Sequence, residues 1–114
     1  MVEANASPAD AQREALTALA QAVVASNPEE QTFAGLSLLK RLVDNIVKNP
    51  QEDKYKKFKK TNAKIAGTVL SLQGINEYIV AMGFVSSEDQ YTFGGDMGLL
   101  RKGNKNLEEA LEPM

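Results

Sequence analysis

The chain has 114 residues, 43% of them hydrophobic and 25% charged, with a formal net charge of −2, which gives room for one modest core in an ordinary globular composition. It contains neither cysteine nor histidine, which removes disulfides, Cys–His and Ser–His nucleophilic catalysis and nearly all zinc sites, so that neither enzyme nor cofactor nor metal is expected. No apolar run approaches the roughly 20 residues a membrane helix needs, and the start lacks the basic and apolar regions of a signal peptide, so the expected setting is the cytoplasm, with the nucleus as a second address.

Residues 1–8 (MVEANASP) are small and polar and are expected to fray; residues 9–114 are expected to form one monomeric domain. Leu16, Leu19, Ala20 and Val23 recur at helical spacing and predict a helix over Ala9–Ala25. Asn27-Pro28 ends it, because the residue before proline avoids the α region. In the next helix either Thr32 is the cap or Glu29 and Glu30 already lie in the first turn. Phe33, Leu36, Leu39, Leu42, Val43, Ile46 and Val47 make that helix strongly amphipathic, and Asn49-Pro50 ends it. A third helix is predicted from Gln51 past Asn62, with Glu52 and Asp53 at the positive end of its dipole. TVLSLQG reads as a strand over 68–72. Ile75, Tyr78, Ile79 and Met82 predict a helix that Gly83 stops. Ser87–Asp89 reads as a turn, QYTF as a strand, GGDMG as a glycine-rich turn and GLLRKG as a further strand. Asn104 is expected to cap a last short helix. The expected fold is α+β: mainly helical, with a small antiparallel sheet of about three strands in the second half.

Charge is concentrated in one place. Between Lys40 and Lys64 stand nine basic residues against three acids, and five lysines fall within KYKKFKK. Such a segment attracts acidic partners. On a helix at 100° per residue, Tyr55, Lys59 and Asn62 share a stripe, Phe58 and Ile65 face the core, and Lys56, Lys57 and Lys60 point away. A Tyr–Lys–Asn column at a core edge suits a peptide: ring for apolar area, amide for backbone, ammonium for a carboxylate. The plainer reading makes Tyr55 a core-edge residue, Lys59 solvated and Asn62 a helix-surface amide. A nucleic-acid footprint is disfavoured, since the chain is net acidic and poor in arginine. An import signal is disfavoured by Phe58 at a core position. GGDMG lacks the spacing of a phosphate loop, and nothing in their spacing pairs Glu77 with Asp96 for acid–base work. The methionines, Met82 among them, read as core fillers or exposed ends, and Phe84, after the helix-stopping Gly83, as either a staple over the helix end or one wall of a groove.

Taken in order, DNIVKNPQEDKYKKFKKTN, LSLQGINEYIVAMGF and YTF resemble the PUB domain, a module of peptide N-glycanase, some UBX-containing cofactors and a linear-ubiquitin ligase. The matching residues are Asn49, Pro50, Glu52, Lys54, Tyr55, Lys56, Phe58, Lys59 and Asn62, then Gly74, Glu77, Ile79, Met82, Gly83 and Phe84. With TFAGLSLLKRLVDNI upstream, the resemblance covers about residues 14–112 and is nearest to the peptide N-glycanase version. It implies a non-catalytic adaptor that binds the acidic C-terminal tail of the valosin-containing AAA ATPase, a tail with a Leu-Tyr anchor. The implied binding residues are Asn45, Lys54, Tyr55, Lys59, Asn62, Gly83 and Phe84. Lys59 stands where the family commonly has arginine; it keeps the charge but lacks the planar fork that grips a carboxylate bidentately.

Overall fold

The computed structural model describes residues 8–113. The expectation for the N-terminal residues lies outside this range, except that Pro8 opens the first helix. The elements are α1 (Pro8–Ser26), α2 (Glu29–Lys48), a 3-10 turn (Asp53–Lys56), β1 (Lys57–Lys59), α3 (Ala63–Thr68), α4 (Ile75–Ala81), β2 (Phe84–Ser86), β3 (Gln90–Phe93) and α5 (Met97–Leu111). The fold is α+β, and its sheet is antiparallel with order β1-β3-β2.

The long helices follow their apolar periodicity. Leu16, Ala20 and Val23 of α1, Leu36, Leu39, Val43 and Ile46 of α2, and Leu100 and Leu107 of α5 are all buried in one core. Glu29 and Glu30 do occupy the first turn of α2. Thr32 is therefore an interior residue: it is fully buried and its Oγ1 donates to the Pro28 carbonyl at 2.9 Å. Phe33 departs from the core stripe and is 48% exposed. Asn27 does more than end α1. Its Nδ2 donates to the Val23 carbonyl at 2.7 Å and the Gln73 carbonyl at 3.1 Å, and its Oδ1 accepts from Gln73 N–H at 2.9 Å. One side chain thus closes a helix end and holds the loop before α4.

Three predicted elements are corrected. The expected helix from Gln51 past Asn62 is a 3-10 turn, a strand and a helix cap. The strand wins because Lys57, Phe58 and Lys59 alternate out, in and out, and Phe58 finds an antiparallel partner in Tyr91. Ring contact across that pair, at 5.2 Å between centroids, outweighs a modest helix propensity. The expected strand at 68–72 is the end of α3 and a turn. Val69 and Leu72 both enter the core at a helical spacing. Gly35 permits this, since a Cβ there would stand 2.6 Å from the Thr68 carbonyl oxygen. GLLRKG belongs to α5, not to a strand. Asp96 caps that helix by accepting from Gly98 N–H at 3.3 Å. Asn104 is accordingly inside the helix, where its Nδ2 donates to Asp44 Oδ1 at 2.8 Å. The sheet is completed instead by β1 and by β2, for which the sequence predicts no strand.

Candidate functional site

Chain 45–62 forms a continuous ledge built by short-range hydrogen bonds. Asn49 N–H donates to the Asn45 carbonyl at 3.1 Å, Glu52 N–H to the Asn49 carbonyl at 3.0 Å, and Tyr55 N–H to the Glu52 carbonyl at 3.2 Å. The last turn of α2, which carries Asn45, is thereby tied through a corner to the 3-10 turn that carries Lys54 and Tyr55. Asn45 is half-buried, and its side-chain amide has no hydrogen-bond partner among the described residues. Tyr55 is half-buried and packs against the core, while Lys54 is exposed with its Nζ 5.2 Å from the Tyr55 ring centroid.

Beyond the corner the chain becomes strand. Lys59 ends β1 and is exposed. Asn62 follows after a tight turn in which its N–H donates to the Lys59 carbonyl at 3.3 Å. Its side chain already has work: Oδ1 accepts from Lys64 N–H at 3.0 Å and Ile65 N–H at 3.2 Å, capping α3. Its amide Nδ2 makes no hydrogen bond among the described residues. Tyr55, Lys59 and Asn62 are therefore neighbours along a turn–strand–cap path and not a helical stripe.

Gly83 and Phe84 stand at the start of β2, on the opposite edge of the sheet from β1. Gly83 has φ +111°, as a helix-stopping glycine requires. It also lies against Gly95 so closely that a Cβ on Gly95 would stand 2.8 Å from the Gly83 Cα. Phe84 is only 2% exposed. It packs edge-on to Phe58 at 5.4 Å and against Phe93 at 5.3 Å. Its role in this structure is to anchor β2 beneath the ledge through the same Phe58 that pins β1.

The family model for the PUB domain matches residues 29–112. The chain belongs to the PUB domain family. No curated protein matches it at a significant level. A PUB domain is a protein-interaction module. In this one, α1 lies outside the matched span, yet it supplies Leu16 and Val23 to the core.

The lysines of this PUB domain sort differently from the helical reading. Lys54, Lys57 and Lys59 are exposed. Lys56 is half-buried, 3.6 Å from Asp53 Oδ1. Lys60, expected to be solvated, is the most engaged: its Nζ lies 2.7 Å from Ser86 Oγ, 2.5 Å from the Ser87 carbonyl and 4.6 Å from the Tyr91 ring centroid. Sequence reasoning missed it because its partners lie 26 and 27 residues away. Burial raises the phenols of Tyr78 and Tyr91 above their ordinary value. The described residues contain no cluster of side chains able to hold a metal, and no helix among them is long and apolar enough to cross a membrane. Two cavities open away from the ledge: one of 330 Å³ between α1 and α5, and one of 350 Å³ that reaches Gly83 and is lined by Ala15, Val80, Asp96 and Leu99.

Proposed function

We propose that this PUB domain is an adaptor that captures the acidic, aromatic-anchored C-terminal tail of the valosin-containing AAA ATPase and so links it to ubiquitin-dependent protein quality control. The observation that carries this reading is the ledge itself. A half-buried tyrosine is flanked by two exposed ammonium groups, Lys54 and Lys59, within the span that matches the family. The Tyr55 ring offers apolar area, the amides of Asn45 and Asn62 offer bonds to peptide backbone, and the lysines offer charge to the acids. Phe84 supports this surface from within through its contact with Phe58. A single short peptide on such a surface binds with micromolar affinity, roughly −8 kcal/mol.

The adaptor belongs in the cytoplasm and nucleus, and the resemblance of its second helix to peptide N-glycanase makes that deglycosylating hydrolase the favoured parent. A backbone-amide NMR titration with the tail peptide tests the reading. Shift changes centred on residues 45, 54–62 and 83–84 are expected, and they shrink as salt rises. Absent shifts at millimolar peptide, or shifts centred on the α1–α5 face, would sink it. Tight duplex binding at physiological salt would instead favour a nucleic-acid role for the lysine segment.

A further inference from the structure

Lys60 has surroundings that peptide capture does not use. Its ammonium is held by the Ser87 carbonyl and the face of Tyr91, and it ends against the hydroxyl of Ser86. Its own backbone N–H donates to the Asp89 carbonyl at 2.8 Å. A cation is thus fixed beneath the β2–β3 turn with a neutral oxygen as its terminal partner. Ser86 itself is exposed, as are Val85 and Ser87–Asp89. It ends β2, an edge strand, so the chain before it is already extended, with one row of backbone groups unpaired. A kinase cleft holds its phosphoacceptor in that form. The second and third residues after Ser86 are Glu88 and Asp89, carboxylates placed to meet the basic cleft of an acidophilic kinase. Ser87 has Gln90 at the third place and lacks that pattern.

We propose that Ser86 is a phosphorylation site for an acidophilic serine/threonine kinase, with Lys60 as the built-in receptor for the phosphate. In the transfer, a bond forms between Ser86 Oγ and the γ-phosphorus of ATP as the bond to the bridging oxygen breaks. ADP departs, and the hydroxyl proton passes to the kinase's carboxylate base. The product carries roughly −1.5 to −2 charges at neutral pH. The Lys60 contact then changes from an ammonium–hydroxyl bond to a charge-assisted one between opposite ions. Two consequences follow. The hairpin is clasped more firmly to the end of β1, and the positive field beside Lys59, the adjacent residue, falls. On the tail-binding reading, phosphorylation therefore lowers affinity for the acidic tail by about fivefold at low salt, and by less at high salt.

The test begins with the purified chain, ATP-Mg²⁺ and a recombinant acidophilic kinase, followed by tandem mass spectrometry. One phosphoryl group on Ser86 is expected. Ser86→Ala abolishes it, Ser87→Ala leaves its rate unchanged, and Asp89→Asn slows it about tenfold. No incorporation into the folded wild type, or incorporation that survives Ser86→Ala, overturns the site. The receptor is tested in Lys60→Gln, which keeps a hydrogen bond to the hydroxyl but not the charge. Phosphorylation raises the melting temperature of the wild type and not of Lys60→Gln. An equal rise in both, or none in the wild type, overturns the receptor role. The kinase and melting arms need no tail peptide, so their failure is distinct from failure of the peptide reading. That failure appears as absent tail binding to the unmodified protein.

Discussion

Helix α2 and the segment that follows it both place apolar residues at helical spacing, yet they fold by different rules. In α2 the stripe from Leu36 to Ile46 is long enough that burying it along one face decides the structure. From Asp53 to Asn62 the same kind of spacing covers little more than two turns, and a partner decides instead. Phe58 pairs with Tyr91, and the chain turns into a strand to reach it. Periodicity governs where it is long; across a short run, a single cross-strand aromatic contact is worth more than the summed helix preference of its neighbours.

The contrast can be broken most sharply at Phe58. Phe58→Ala should cost about 3–5 kcal/mol in urea unfolding, because it removes the ring shared by Phe84 and Tyr91. A loss near zero would contradict the burial of that ring. Next comes a pair within α2: Leu39→Ala should cost about 2–4 kcal/mol, whereas Phe33→Ala should change stability by about 0.5 kcal/mol or less. Their different burial predicts the gap; equal costs would contradict the stripe.

Asn62 separates capping from binding. Asn62→Ala should destabilise by about 1 kcal/mol through loss of the α3 cap. Asn62→Asp keeps a capping oxygen and removes the amide donor. It should melt with the wild type and still bind the tail peptide more weakly in a calorimetric titration. Unchanged binding would confine Asn62 to its structural task. The smallest effect is expected at Lys59. Lys59→Ala should leave the melting temperature unchanged while weakening tail binding and flattening its salt dependence. Lys59→Arg should strengthen binding by restoring the forked donor.

Much of this fold was legible because its long elements announce themselves. The stops at Asn27-Pro28, Asn49-Pro50 and Gly83 are local chemistry, and the structure keeps all three. The errors cluster where an element is short. Asn62 was read as the interior of a helix although Asn followed by AKIAG is a start signal, as its two capping bonds show. Likewise Asp96, with Leu100 and Leu107 at helical spacing behind it, signalled the start of α5 beneath a β-like GLLRKG. Of the candidate residues, the short chain path from Asn45 to Lys54 and Tyr55 follows from the proline turn alone. The setting of Lys60 does not, because its hydroxyl, carbonyl and ring partners come from the far side of the sheet and no local pattern encodes them.

Strand β1 is an edge of the sheet, three residues long, with a lysine at each end and a buried phenylalanine between. An unguarded apolar edge invites another chain to add a strand. Lys57 and Lys59 act as gatekeepers: two copies cannot align along this edge without stacking ammonium groups on one another. On the tail-binding reading, the charge that draws an acidic tail would also oppose self-association along this edge, so replacing both lysines with threonine should cost solubility before it costs stability.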